Sequence, residues 1–355
     1  MDRIHSSARY ILLFDMAVSV GINGLGRIGK MVFRLIFNST GIEVVHINDP
    51  MDNAILVHLL KYDSIHGKFN AEIEDEKAFI KVNGRRIRVT HEETPAAIPW
   101  DESSVDQVIE SSGQYKTREK LEPHLRKGVK KIILTCPPDD DSIDRTVVMG
   151  VNEEQIRETD RIISNASCTT NCVALMLKVL NDSFGVTKAF MNTVHPYTNN
   201  QMLLDGPHKD FRRARAAALN IIPTTSSAVR SVCLVMPEMR HRFDGFATRV
   251  PVPDGSFVEL TAHLKKKVNP EIIRSTFRSA SEHRLKDLLE YSEDHLVSSD
   301  IINNPHSAVF DALSTKVIDQ DFVQLLAWYD NESGYSNRIL DVIKYIGNVH
   351  QSIRK

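Results

Sequence analysis

The strongest constraint on the fold lies near the start of the chain. Val18, Val20 and Ile22 alternate as a short strand and run into Asn23-Gly24-Leu25-Gly26-Arg27-Ile28-Gly29, which opens the helical spacing Ile28, Met31, Val32, Leu35, Ile36. Strand, glycine-rich turn and helix in that order is the context in which Gly-x-Gly-x-x-Gly cradles a pyrophosphate. Gly24 permits the tight turn, Gly26 lets an anion approach the backbone, and Gly29 lets the helix pack closely, while the free N–H groups of the helix start face the phosphates. A second apolar strand over residues 44–48 leads to Asp49, about twenty positions after Gly29. A carboxylate there takes the ribose 2′-hydroxyl of NAD and repels the 2′-phosphate of NADP.

Strand and helix signals continue to alternate over residues 17–164, with strands at 105–110, 131–135 and 161–164 and helices over 54–62 and 117–125. Asn83-Gly84 splits an apolar stretch into a hairpin inserted in this unit. The alternation predicts an α/β fold, a doubly wound parallel sheet of the Rossmann type. Past residue 184 strands dominate, at 187–194, 246–252, 257–264, 308–310, 315–318 and 322–328, with helices over 226–235 and 270–289. That pattern predicts an α+β unit on a mostly antiparallel sheet. Ile339, Val342, Ile343 and Ile346 mark a final helix able to return to the first unit. Residues 1–15 read as a short N-terminal extension, 16–167 as the cofactor domain completed by helix 334–355, and 168–333 as the catalytic and oligomerisation domain.

A net charge of −2 at 25% charged residues gives no bias toward nucleic acid or anionic membrane, and the apolar run over 10–14 is too short to span one. Four cysteines form neither a disulfide framework nor a zinc pattern, so a metal is not expected and a reducing cytoplasm fits. One of them stands out. Ser167-Cys168-Thr169-Thr170-Asn171-Cys172 lies where the strand at 161–164 hands over to a helix, and a thiol at a helix start is expected to have a lowered pKa. Cys172, one turn on, reads as a buried small hydrophobe. A thiol beside a hydride carrier points to aldehyde oxidation through a thiohemiacetal and a thioester. His195, at a strand end, is the best base among the 14 histidines. Ser167, Thr169, Thr198, Arg213, Ser226 and Arg249 are candidate anion donors.

From about residue 17 to the C-terminus the chain resembles the glyceraldehyde-3-phosphate dehydrogenases. The resemblance rests on Asn23–Gly29, on Ser164-Asn165-Ala166-Ser167-Cys168-Thr169-Thr170-Asn171 and on Trp328-Tyr329-Asp330-Asn331-Glu332. It implies Cys168 as nucleophile with His195 as partner, Arg27 and Ile28 against the pyrophosphate, and Asp49 on the adenosine ribose. It also implies Thr135 near the nicotinamide ribose and Asn331 on the carboxamide. The loop over 196–222 resembles the family's subunit-crossing S-shaped loop of a homotetramer, and its Gly206-Pro207 matches the NAD-preferring pattern. Two phosphate positions depart from the family. Thr198-Asn199-Asn200 stands for the usual Thr-Ala-Thr, and Ser226-Ser227 for Thr-Gly; hydroxyls and amides still bind phosphate oxygens. The expected reaction takes glyceraldehyde 3-phosphate, NAD and inorganic phosphate to 1,3-bisphosphoglycerate. The alternatives are an erythrose-4-phosphate dehydrogenase using water, an NAD-binding protein with little turnover that acts through its surface, and a cysteine hydrolase, which leaves the nucleotide platform unexplained.

Overall fold

The computed structural model describes residues 17–126 and 128–353; the N-terminal extension falls outside them. Strand β1 (Val18–Asn23) leads through the glycine turn into helix α1 (Arg27–Phe37), then β2 (Ile42–Asn48) and α2 (Asn53–Lys61). Next come β3 (Ile73–Asp75), β4 (Phe79–Val82), β5 (Arg85–Thr90) and β6 (Gln107–Glu110), the short helix α3 (Arg118–Leu121), β7 (Lys131–Leu134), β8 (Arg145–Thr146) and β9 (Ile162–Ser164). These nine strands form one sheet in the order β3-β4-β5-β2-β1-β6-β7-β9-β8. All its pairs from β5 to β8 are parallel. The hairpin β4–β5 turns at Asn83 (φ 44°) and Gly84 (φ 84°), the positive-φ pair such a two-residue turn requires. β5 then pairs parallel with β2, so the hairpin extends the sheet and does not lie apart from it.

Helix α4 (Cys168–Phe184) carries the chain to the second sheet: β10 (Val186–Pro196), β11 (Ile222–Thr224), helix α5 (Ala228–Val235), β12 (Phe243–Val250), β13 (Ser256–Leu264), helix α6 (Pro270–Glu282), β14 (Leu289–Ser292), β15 (Ala308–Ile318) and β16 (Phe322–Tyr329). Its order is β11-β12-β10-β13-β16-β15-β14, antiparallel except for β10 with β12 and β14 with β15. The helix expected over 270–289 stops at Glu282. Leu285, Leu288 and Leu289 keep an apolar spacing, but Leu289 joins an edge strand on β15, which a one-dimensional period does not distinguish from a helix end. The strand pieces expected at 308–310 and 315–318 form one strand whose register shifts between Asp311 and Lys316. Helix α7 (Ser333–Ile353) follows β16 and returns to the first sheet, burying Tyr335, Ile339, Val342, Ile343 and Ile346 in the core with α1.

Among the described residues two large cores result, one on each sheet, with two smaller clusters around Trp100 and Leu134. The middle of α4 is sunk in the second core, with Val173, Leu175, Met176, Leu177 and Leu180 inaccessible to water, while Lys178 and Asp182 mark a partly exposed face towards its end. At its start Cys168 touches both cores. Among the described residues no helix is long and apolar enough to cross a membrane.

The glycine turn shows why its residues are small. A Cβ on Gly24 (φ 92°) would meet the Ser112 backbone at 2.6 Å, and one on Gly29 would lie 2.0 Å from the Gly24 carbonyl oxygen. Gly29→Ala is therefore expected to force α1 away from the turn, costing about 1–3 kcal/mol. The check is a lower thermal midpoint together with weaker NAD binding; an unchanged midpoint would refute the close packing.

Candidate active site

The chain leaves β9 through Ala166 at φ 53°, an uncommon conformation for a residue with a Cβ. Tyr335 Oη on α7 holds that turn by donating to the Ala166 carbonyl at 3.1 Å. Ser167 then caps α4, its Oγ accepting from Thr170 N at 3.1 Å. This sharp turn presents Cys168 on the first turn of the helix. β10 brings up His195 from the other side, with Nε2 3.5 Å from Cys168 Sγ. Tyr329 at the end of β16 lies beneath the pair, its hydroxyl 2.8 Å from both Thr169 Oγ1 and Thr193 Oγ1.

The thiol is not activated in the way its helix position predicts. Burial pushes Cys168 up, and the neighbouring Arg249 charge and the Thr169 amide offset this only in part. His195, 5% exposed, is pushed down to about 3 by burial and by the Arg249 guanidinium. Both shifts favour the neutral forms, thiol and imidazole, in the ligand-free pair. The helix-start argument fails here because desolvation of a thiolate outweighs the first-turn dipole. Arg249 Nη1 lies 2.5 Å from His195 Nδ1 and donates to the Pro196 carbonyl at 2.8 Å. Nδ1 also lies 2.9 Å from the Pro196 carbonyl oxygen, so it accepts from Arg249 with the proton on Nε2, or donates to Pro196 with Nε2 free to accept.

A cavity of about 510 Å³ opens over the pair. Ser167, Thr169, Arg213, Ser226, Ser227 and Arg249 all line it, as the sequence predicts; Thr198 does not, and Asn200 takes its place. The backbone N–H of Thr198 donates to Gln201 Oε1. Lys116 and Arg230 also line the cavity and were not foreseen. Arg230 sits on α5 one turn beyond Ser226-Ser227, a spacing that could have revealed it, whereas Lys116 comes from the first sheet and has no local signal. Four cationic side chains thus face one carboxylate, Asp139, across the cavity. Arg249 Nε is buried without a hydrogen-bond partner, a donor left over for a ligand oxygen.

The first sheet fits a dinucleotide. Gly26 caps α1 without any side-chain hydrogen bond, and a Cβ there would meet nothing within 4 Å, so the helix start is open to a phosphate. Buried Asp49 accepts from Leu25 N at 2.6 Å and Met51 N at 2.9 Å, which aims its carboxylate along the turn and leaves lone pairs for a ribose. Thr135 stands at the end of β7, its N–H and Oγ1 both donating to the Glu110 carbonyl. Asn331 Oδ1 accepts from Ser256 Oγ at 2.8 Å, leaving its amide N–H groups to donate outward. The Arg27 guanidinium bonds Glu332 and Asp63, so only the backbone of Arg27 and Ile28 remains for a pyrophosphate.

A parallel sheet with an open phosphate turn, joined by one buried helix to a second sheet that supplies a histidine against its cysteine, defines a two-sheet nicotinamide-dependent dehydrogenase. Residues 18–118 match the NAD binding domain of glyceraldehyde 3-phosphate dehydrogenase, and residues 167–331 match its C-terminal domain. The chain belongs to the glyceraldehyde-3-phosphate dehydrogenase family, and its cofactor is NAD. It is 49% identical over 332 residues to the glyceraldehyde-3-phosphate dehydrogenase of Priestia megaterium, covering 93% of this chain and 98% of that one. To that of Geobacillus stearothermophilus it is 48% identical over 334 residues, and to that of Mycobacterium avium 47% over 343, each covering 94% of this chain and 99% of the other.

The neutral pair carries a pH signature. Alkylation of Cys168 by iodoacetamide in the ligand-free protein should speed up as pH rises from about 7 to 9, following the thiolate fraction. A rate already level at pH 7 would mean that an imidazolium–thiolate pair prevails.

Proposed function

We propose that the protein oxidises glyceraldehyde 3-phosphate with NAD and inorganic phosphate to 1,3-bisphosphoglycerate, with Cys168 as nucleophile and His195 as acid–base partner. The observation that carries this reading is the Sγ–Nε2 approach of 3.5 Å beneath a cavity lined by four cations. Two of the reactants are phosphates, and the product carries two. Arg249, with its unpartnered Nε, and Arg213 are the main anion holders, with Ser167, Thr169, Ser226 and Ser227 as hydroxyl donors. Asp49, Gly24, Gly26, Gly29, Arg27, Ile28, Thr135 and Asn331 hold the cofactor.

Arg249 links binding to chemistry. While it donates to Nδ1 the imidazole keeps its proton on Nε2 and cannot act as a base toward sulfur. When the guanidinium turns to a phosphate, Nδ1 is free to carry a proton and donate to the Pro196 carbonyl, 2.9 Å away. Nε2 then becomes an acceptor and draws the proton from Sγ. Sulfur adds to the aldehyde carbon, and Nε2 returns its proton to the alkoxide to complete the thiohemiacetal. The same nitrogen removes that hydroxyl proton as the carbonyl reforms. Bound NAD supplies the acceptor for the hydride that leaves the same carbon, so Cys168 is left as a thioester. Attack by phosphate oxygen on the thioester carbonyl breaks the C–S bond and returns the thiol.

Within this reading, residues 16–167 with 334–355 serve cofactor binding and 168–333 serve catalysis and assembly, a division supported by the return of α7 to the first core. The reading needs neither nucleic acid nor membrane, and four free cysteines suit the cytoplasm. A homotetramer is supported by the loop between β10 and β11, where Leu203, Leu204, Phe211, Leu219 and Ile221 are each at least 69% exposed.

Two experiments test the proposal. NADH formation should require inorganic phosphate with glyceraldehyde 3-phosphate, and Cys168→Ser should abolish it while NAD binding persists. Phosphate-independent oxidation of erythrose 4-phosphate would replace the substrate, and no reduction with either would favour a non-catalytic NAD binder. Light scattering after size exclusion should give four times the 40.1 kDa chain, and Phe211→Glu should yield smaller species. A monomeric parent protein would refute the assembly.

A further inference from the structure

Away from the cavity, three residues distant in sequence converge where the two sheets meet. His66 follows α2, Asp254 lies in the turn between β12 and β13, and Asp330 follows β16. Each offers an atom within 4.8 Å of the others. Asp254 is 1% exposed, and neither of its carboxylate oxygens has a hydrogen-bond partner. It cannot easily withdraw, because a Cβ on the next residue, Gly255 (φ 84°), would lie 2.2 Å from the Ser298 carbonyl oxygen. A buried carboxylate without a partner calls for an unseen positive species.

The surroundings say what kind. His66 Nδ1 donates to Asn303 Oδ1 at 2.8 Å, the outer hydrogen bond that orients a ligating imidazole. Its Nε2 donates to Glu332 Oε2 at 2.9 Å and lies 3.7 Å from Asp254 Oδ2. A metal ion would displace that Nε2 proton, as metal binding to an imidazole does. Asp330 takes backbone N–H bonds from Asn303 and from Glu332 and Ser333, which aim it while leaving lone pairs. Glu332 is drawn to Arg27, which is itself shared with Asp63. One guanidinium therefore serves two carboxylates, which leaves His66 to face Asp254 and Asp330.

We propose that His66, Asp254 and Asp330 form a divalent-cation site that fastens the cofactor sheet to the second sheet beside Asn331. One imidazole and two carboxylates suit a borderline ion such as Mn²⁺ or Zn²⁺ over Ca²⁺. Four cysteines without zinc spacing had pointed away from metals; this site uses no cysteine, and its ligands are scattered along the chain. It stands independently of the reading of Cys168.

The test uses Mn²⁺ and the full chain carrying Cys168→Ser, so that the thiol does not take the ion. After gel filtration, spin resonance should count one Mn²⁺ per chain with coupling to an imidazole nitrogen, and Mn²⁺ should raise the thermal midpoint. Asp254→Asn should weaken binding about tenfold or more, and His66→Gln should also abolish the nitrogen coupling. Both are read beside far-ultraviolet circular dichroism, and either folded variant alone decides the question. No retained Mn²⁺, or undiminished binding in the folded variants, would overturn the site. A midpoint raised by Asp254→Asn without any Mn²⁺ binding would overturn it too, because Asp254 would then hold only a proton.

Discussion

Helix α4 is the element on which the rest depends. It is buried over most of its length, so it cannot shift without opening the core of the second sheet, and its first residue packs against both cores. One rigid rod thus fixes the thiol relative to both the cofactor turn and His195 on β10. Helix α7 completes the arrangement from the other direction: it packs on α1 and uses Tyr335 to hold the turn at Ala166. The backbone strain at Ala166 is of order 1–2 kcal/mol, small beside the apolar burial of the helix that follows.

Electrostatics around the thiol differ from the local expectation. Placing Cys168 and His195 between two cores favours neutral forms, and Arg249 then lowers His195 further. In the proposed mechanism the thiol is conditional: it waits until an anion engages the same guanidinium, and activation by the bound substrate would also shield the nucleophile from indiscriminate oxidation.

Legibility in the sequence varied with the range of the interaction. The glycine turn, Asp49 and the Cys168 run are local, because each depends on the order of a few residues along one strand–helix junction. The hairpin at Asn83-Gly84 was readable for the same reason. β8, β11 and β14 were not: two to four residues of edge strand have no period of their own. Nor did Lys116 announce itself, since it reaches the pocket only after two sheets meet. Thr198 was read as a phosphate donor, whereas Asn200 is the residue of that loop segment that lines the cavity.

The chain order alone determined the class of fold and the cofactor turn, because periodicity and glycine placement act over one or two turns of backbone; the resemblance of the Cys168 run to a known family pointed to the thiol and to His195. Tertiary structure decided the burial of that pair, the four cations that face it, and the meeting of His66, Asp254 and Asp330. Burial and charge compensation depend on which distant segments share a volume, and residues as far apart as 66 and 330 meet only when both sheets are folded against one another.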